Sequence, residues 1–161
     1  YAIIDPQPSC QALDSLSVSD IKRLSPFVRE QVNSLRNVVH PLDATIRGVS
    51  HVMWTGKAAQ SGADSRNAVF YGPSAIDRSP CGTGTSARMA QLVSRGELHV
   101  GDTFVHESII GSTFKGEVLG ETTLGNSSGI LTAITGWARV TGRNTIFVDD
   151  RDPYRHGFRV M

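Results

Sequence analysis

The chain contains two cysteines, and one of them, Cys81, lies in a sequence context suited to chemistry. It sits between Pro80 and Gly82 in a glycine-punctuated turn, which leads into a predicted helix from Thr85 to Arg95. The first N–H groups of a helix have no intrahelical acceptor and carry the positive end of the helix dipole. We therefore expect Cys81 to face a helix N-terminus, a position that favours a reactive thiolate.

The same turn offers two further groups that suit an amino-acid ligand. The backbone N–H groups of Gly82 and Thr83 would form a cradle for a carboxylate. Asp77 lies four residues before Cys81 and would accept a hydrogen bond from an ammonium group. A thiolate, a carboxylate cradle and an acidic acceptor together predict a site for an α-amino acid.

Three other interpretations of this stretch are open. A lone cysteine is commonly a small buried hydrophobe, although a turn between Pro80 and Gly82 gains little from burial. Residues 82–87 also match the dinucleotide fingerprint G-x-G-x-x-A, but the preceding Asp-Arg-Ser-Pro is not the hydrophobic strand that this fingerprint requires. A cysteine hydrolase would need a histidine to activate Cys81, and none of the five histidines has a local signature for that role.

The stretch from Asp77 to Ala90, DRSPCGTGTSARMA, resembles the second cysteine motif of the proline racemase family. That family also contains 4-hydroxyproline epimerases and trans-3-hydroxyproline dehydratases. Weaker matches follow the family's order at Tyr1–Asp5, Asp64–Val69 and Phe104–Ser112. The resemblance therefore extends over nearly the whole chain.

The resemblance implies a cofactor-independent racemase or epimerase of proline or 4-hydroxyproline, in which two cysteines transfer the Cα proton. Cys81 would be one of the two catalytic cysteines. Gly82 and Thr83 would bind the substrate carboxylate, Asp77 the ring ammonium, and Tyr71 would lie near the substrate ring, although a core role for this tyrosine is equally open. The alternative within the family is dehydration of trans-3-hydroxy-L-proline.

Members of this family are roughly twice as long as these 161 residues and carry a first motif, Cys-Gly-His-Gly, that is absent here. We therefore interpret residues 1–161 as a single domain, the C-terminal half of a two-domain enzyme. Its expected partners are a small amino-acid substrate and the missing N-terminal half, and a homodimer is left open. On this interpretation the isolated chain is inactive, and a non-catalytic binding domain remains an alternative.

Composition and charge exclude several other classes of function. The sixteen basic and fifteen acidic residues are mixed, without the basic stripe of a nucleic-acid-binding protein. No apolar run approaches the length of a transmembrane helix, so no membrane partner is expected. Two cysteines form neither a disulfide framework nor a metal cluster, and Cys10 is interpreted as an incidental thiol. A reduced cytoplasmic setting suits a working thiol.

The N-terminal half of the chain predicts both strands and a helix. Tyr1–Asp5 is a short apolar strand. Ser17 and Asp20 resemble a capping box before an amphipathic helix over residues 21–36. Pro26 lies inside that helix and predicts either a kink or the start of a second helix. Two more strands are predicted at residues 48–55 and 68–71, and His51 in the first of them is interpreted as a strand surface residue rather than a catalytic base.

After Gly96 the pattern becomes entirely that of strands. The predicted strands are Leu98–Val100, Thr103–Ile109, Phe114–Glu121, Ile130–Ile134, Gly136–Thr141 and Asn144–Val148. His106 and Glu107 are adjacent in one of them and should face opposite sides of the sheet. The fold class is therefore α+β. With the resemblance, it becomes a half similar to diaminopimelate epimerase, in which an antiparallel, β-barrel-like sheet wraps around one central helix.

Overall fold

The computed structural model describes residues 1–6, 13–14 and 16–159, so Cys10 lies outside the described residues. Along the chain the elements are β1 (Ala2–Ile4), α1 (Val18–Leu35), β2 (Val52–Gly56), β3 (Ser65–Tyr71), β4 (Ala75–Ile76), α2 (Gly82–Ser94), β5 (Thr103–Ser108), β6 (Thr113–Leu124) and β7 (Ser127–Thr135). All seven strands belong to one sheet. The α+β class is confirmed.

The sheet is mixed rather than purely antiparallel. Its strands follow the order β1-β2-β3-β5-β6-β7, with β4 paired to β3. The pairs β1–β2 and β3–β5 are parallel, and the other pairs are antiparallel. A parallel pair needs a long crossover, and these two crossovers contain α1 and α2. The prediction of an antiparallel sheet is therefore wrong at the two pairs that flank the helices.

The two helices pack on opposite faces of the sheet, and β2 shows this most clearly. Val52 and Trp54 share a core cluster with Ile21 of α1. The alternate residues Met53 and Thr55 face the other way, towards α2. Alternation along a strand sends neighbouring side chains to opposite faces, so a strand covered by a helix on each face is buried throughout, as β2 is.

The sheet curls around α2. Met89 and Leu92 of this helix pack with Phe104 and Val118 in a second core cluster. At one edge of the sheet, Arg88 forms an ion pair with Asp5, just after β1. At the other edge, the Ser86 hydroxyl lies 2.9 Å from the Thr132 hydroxyl of β7. One helix reaches both edge strands, so the predicted sheet around a central helix is confirmed in the form of a half barrel. The likeness to diaminopimelate epimerase stays a prediction.

Helix α1 begins at the predicted capping box and continues through its proline. The Ser17 hydroxyl accepts a hydrogen bond from the N–H of Asp20, and the Asp20 carboxylate accepts one from the N–H of Ser17. Pro26 lies inside one continuous helix, and the preceding Ser25 donates its hydroxyl to the carbonyl of Ile21 instead of capping a second helix. Among the described helices, none is long and apolar enough to cross a membrane.

Three predicted strands do not form, at residues 98–100, 136–141 and 144–148. Residues 98–102 instead form a turn, in which the Asp102 carboxylate accepts a hydrogen bond from the N–H of His99. The other two segments are exposed, and Ile146 and Phe147 are 83% and 89% accessible. Strand formation needs a neighbouring strand, and within the described part of the chain none pairs with these segments.

Candidate active site

Cys81 is the residue immediately before α2, and its backbone conformation is unusual. The helix begins at Gly82, three residues before the predicted start at Thr85. Cys81 has φ 65° and ψ 113°, which makes it the one described non-glycine residue with positive φ. The thiol is half-buried. The prediction that Cys81 lies at a helix N-terminus is confirmed.

The front of this helix N-terminus is open. No side chain caps α2, so the N–H groups of Gly82 and Thr83 have no acceptor within the helix. A Cβ atom added at Gly82 would meet no atom within 4 Å. The two predicted carboxylate-binding groups therefore lie at an uncapped helix N-terminus next to Cys81, where the positive end of the helix dipole favours an anion.

Asp77 supports the turn that carries Cys81. Its Oδ1 atom accepts hydrogen bonds from the N–H and the hydroxyl of Ser79, at 2.9 and 3.0 Å. The Ser79 hydroxyl in turn accepts from the N–H of Cys81 at 3.0 Å. The other oxygen of Asp77 has no hydrogen-bond partner among the described residues. One carboxylate thus fixes the turn and still offers an acceptor for a cation.

Tyr1 contacts the thiol, which no pattern in the sequence indicates. Its phenol oxygen lies 3.2 Å from Cys81 Sγ and also forms a short hydrogen bond with the Thr83 hydroxyl. Burial, together with the hydrogen bond to Cys81, raises the pKa of Tyr1 to about 12. The phenol therefore stays protonated at neutral pH, and its one hydrogen is available to either the Cys81 sulfur or the Thr83 hydroxyl. Tyr1 and Cys81 are 80 positions apart in the sequence, so a local motif does not indicate that they are in contact.

Tyr71, the predicted selectivity residue, belongs to a row of rings that begins at Tyr1. The Tyr1 and His51 rings are 5.0 Å apart, and the His51 and Tyr71 rings are stacked at 6.0 Å. Tyr71 is 41% exposed, so it is not a core aromatic. His51 was predicted as a strand surface residue, but it lies just before β2, where burial lowers its pKa. The row borders the thiol on one side.

Gly84, in the first turn of α2, lies close to the side chains of Cys81 and Met53. A Cβ atom added there would lie 2.7 Å from the Met53 methyl group and 3.3 Å from Cys81 Sγ. A side chain at this position would require the Met53 methyl group or the Cys81 side chain to shift. Met53, Gly84 and Cys81 therefore pack directly against one another.

His106 and Glu107 face opposite sides of the sheet, as predicted. Glu107 accepts hydrogen bonds from the N–H groups of Ala59 and Gln60, whereas His106 points towards Thr85 of α2. They do not form an acid–base pair. In the described part of the chain no histidine hydrogen-bonds to the Cys81 sulfur, so the arrangement of a cysteine hydrolase is not found there.

The chain is similar in sequence to known proteins over nearly its whole length. The family model described as proline racemase matches residues 1–159. The 4-hydroxyproline 2-epimerase of Shewanella loihica is 57% identical over 161 residues, which are 100% of this chain and 48% of that protein. The probable 4-hydroxyproline 2-epimerase of Rhizobium meliloti is 54% identical over 160 residues, 99% of this chain and 48% of that protein.

Two crystal structures share the fold. A probable proline racemase from Agrobacterium radiobacter K84, with bound carbonate, has a TM-score of 0.74 and 35% identity, over 90% of this chain and 44% of that one. A hydroxyproline epimerase from Agrobacterium vitis, with bound trans-4-OH-L-proline, has a TM-score of 0.71 and 35% identity, over 90% and 43% of the two chains. The chain spans about half the length of the relatives it matches.

Proposed function

This chain belongs to the proline racemase family, and from that premise we propose that it forms the C-terminal half of a 4-hydroxyproline 2-epimerase. The names of the two similar relatives favour 4-hydroxyproline over proline, and epimerisation over dehydration. The observation that carries the proposal is the position of Cys81, at an open helix N-terminus within hydrogen-bond distance of a protonated phenol. A cytoplasmic location stays a prediction.

In the proposed reaction the Cys81 sulfur exchanges one proton with the substrate Cα. As a thiolate it removes the proton from one face, and as a thiol it returns one to that face in the reverse direction. The Cα proton is very weakly acidic, so the base must be held close to it and ready to react. Tyr1 serves this purpose, because its O–H group donates to the sulfur when the sulfur is ionised.

The turn and the first residues of α2 would stabilise the negative charge that forms as the proton leaves. The substrate carboxylate would accept hydrogen bonds from the N–H groups of Gly82 and Thr83, which are fixed before the reaction starts. The free oxygen of Asp77 would accept a hydrogen bond from the ring ammonium. Tyr71, the end of the aromatic row, would contact the ring side of the substrate.

Inversion needs a second group, because Cys81 reaches only one face of Cα. We assign that role to a cysteine of the N-terminal half, as the family resemblance implies. The reaction needs no external redox partner, since one proton is removed and one is returned. No cofactor is part of the proposal.

The two cysteines of the chain provide a matched test in the full-length protein. We expect Cys81→Ser to lower the epimerisation of trans-4-hydroxy-L-proline by at least about 10²-fold, the effect of one positioned acid or base. Cys10→Ser should keep the wild-type rate. Chiral chromatography measures both. A Cys81→Ser enzyme that retains the wild-type rate would remove the basis of the proposal.

A further inference from the structure

Three fully buried polar side chains lie directly behind Cys81, and the proposed proton transfer does not use them. They are Asn67 of β3, Thr85 of α2 and His106 of β5, each with no accessible surface. Burying a polar group costs free energy unless it is hydrogen-bonded. Their hydrogen-bond partners therefore matter, although Asn67 Oδ1 and His106 Nε2 have none among the described residues.

Two of them converge on one backbone carbonyl, that of Pro80. Asn67 Nδ2 donates to the Pro80 oxygen at 2.7 Å, and the Thr85 hydroxyl lies 3.3 Å from the same oxygen. His106 joins the two donors from behind. Its Nδ1 atom lies 3.0 Å from the Thr85 hydroxyl and 3.2 Å from Asn67 Nδ2. We call these three residues the support cluster.

The His106 ring of the support cluster is neutral, because burial, reinforced by the nearby charge of Arg88, lowers its pKa to about 3. The Thr85 hydroxyl has one hydrogen, so it donates to the Pro80 oxygen when His106 Nδ1 carries the ring proton and donates to the hydroxyl oxygen. In that tautomer Nε2, which has no hydrogen-bond partner among the described residues, carries no proton.

The carbonyl that the cluster holds determines the orientation of Cys81. The Pro80 carbonyl and the Cys81 N–H belong to one planar peptide group, so fixing the carbonyl fixes the plane from which φ of Cys81 is measured. Residues with a side chain avoid positive φ, and such a conformation persists only where the surroundings enforce it. The other end of the plane is fixed as well, since the Cys81 N–H donates to Ser79.

We propose that Asn67, Thr85 and His106 are positioning residues that hold Cys81 in its left-handed conformation and so aim the thiol along the open front of α2. The inference rests on the proposed function, because the thiol must be aimed at a substrate Cα. It adds to that function the residues that enforce the geometry. They touch neither the substrate nor the sulfur, and they act through the Pro80–Cys81 peptide.

The test compares Thr85→Val, which keeps the shape but removes the hydroxyl, with Thr85→Ser, which keeps the hydroxyl. Both are made in the full-length protein. A misplaced catalytic group can cost about 10²-fold in rate, so we expect Thr85→Val to lower kcat for trans-4-hydroxy-L-proline by about that factor, with a much smaller change in KM. Thr85→Ser should keep the wild-type kcat. Ile21→Ala, which opens a cavity in the core cluster around α1, controls for a general loss of stability.

A second readout does not depend on epimerase activity. The rate at which iodoacetamide alkylates Cys81 at pH 7 should fall by about tenfold in Thr85→Val, because the sulfur leaves the helix N-terminus that favours the thiolate. Ile21→Ala and Thr85→Ser should react as the wild type does. If wild-type enzyme has no epimerase activity, the proposed function fails, and the alkylation rates still test the support cluster.

The inference is overturned if Thr85→Val matches the wild type in kcat and in alkylation, or if Ile21→Ala lowers both by the same factors. It is also overturned if Thr85→Ser lowers kcat and the rate of Cys81 alkylation as much as Thr85→Val does. Should Thr85→Val not fold, Asn67→Leu replaces it, since it removes the shorter of the two hydrogen bonds to the Pro80 carbonyl. Asn67→Leu is judged by the same two readouts.

Discussion

At the residue scale, the environment of Cys81 combines neighbours along the chain with contacts from distant positions. The turn residues Asp77 and Ser79 fix its N–H, and Gly82 leaves the front of the helix open. Tyr1, just before β1, and Met53 of β2 contact this environment from positions remote in sequence. The turn residues around Cys81 belong to one sequence motif, whereas the contacts of Tyr1 and Met53 depend on strand pairing.

Gly84 allows the packing behind the thiol to be tested directly. We expect Gly84→Ala to displace the Cys81 sulfur or the Met53 methyl group, because the new Cβ would lie 2.7 Å from that methyl and 3.3 Å from the sulfur. Epimerisation should fall by about 10²-fold, as for other small misplacements of a reacting group. Activity assays on the full-length enzyme measure this.

Gly120→Ala is the matched control, since a Cβ atom there would meet nothing within 4 Å and no positive φ is involved. It should leave activity unchanged. Equal activity in the Gly84→Ala and Gly120→Ala enzymes would show that the space behind Cys81 is not needed.

The sequence predicted the local part of this site and could not predict the remote part. The turn, the helix and the glycines place Cys81 correctly, because they act over a few residues. Tyr1 carries no signal, since an aromatic residue beginning an apolar strand is ordinary. His51 was predicted as a strand surface residue because periodicity indicates on which face of a strand a side chain lies. It does not indicate which side chains of other segments, here Tyr1 and Tyr71, pack against that face.

At the element scale, β1 and α2 are joined by the carboxylate of Asp5. It forms ion pairs with Arg88 and with Arg95, the latter at 2.9 Å, and it accepts a hydrogen bond from the Thr55 hydroxyl. Burial alone would raise the pKa of Asp5, but the charge of Arg88 and these hydrogen bonds lower it overall. The link holds the helix that carries Cys81 against the strand that follows Tyr1.

This link predicts a pH-dependent contribution to stability. The pKa of Asp5 is lower in the folded state, so its stabilisation is fully present above the unfolded value, about 3.9, and is lost as the pH falls through the folded value. Asp5→Asn should therefore lower the free energy of unfolding by about 2 kcal/mol at pH 7. The difference from wild type should shrink below about pH 4.

Urea unfolding at pH 7 and pH 3 measures this difference. Asp150→Asn, at an exposed carboxylate that forms no ion pair with the described residues, should have little effect at either pH. An Asp5→Asn difference that is the same at both pH values would show that the carboxylate charge does not stabilise this link.

Element boundaries show where local patterns suffice. The capping box of Ser17 and Asp20 sets the start of α1, and Gly125 with φ 60° turns β6 into β7. The failed strand at residues 98–100 has apolar residues at its two ends, yet the Asp102 carboxylate binds the N–H of His99 and closes a turn there. A pattern of hydrophobicity does not show that a side chain will accept a hydrogen bond from a backbone N–H group that a strand would otherwise use.

At the scale of the whole molecule, several of the most exposed large apolar residues lie beyond β7. Trp137, Ile146 and Phe147 are 60%, 83% and 89% accessible. We expect these side chains to be covered in the full-length protein, because large exposed apolar patches commonly mark interaction surfaces. The sequence predicts strands in this region, and the missing half of the proposed enzyme would provide their partners. A pattern within one chain cannot supply a strand from another part of a protein.

The proposed division of the site between two halves also decides where activity resides. On this proposal, Cys81, the cradle at α2 and Asp77 would bind the substrate and deprotonate one face of it. The group that returns a proton to the other face, and the wall that excludes water, would belong to the other half. Without that wall, each electrostatic contact at Cys81 is weakened by water.

The rate of epimerisation of trans-4-hydroxy-L-proline, measured by chiral chromatography for the 161-residue chain and for the full-length protein, tests this division most directly. Loss of one positioned acid or base costs about 10²–10⁴-fold, before any loss of substrate binding. We therefore predict that the full-length protein epimerises the substrate and that the 161-residue chain is slower by at least that factor. Equal rates would contradict the account, because the second proton donor would then lie within these 161 residues.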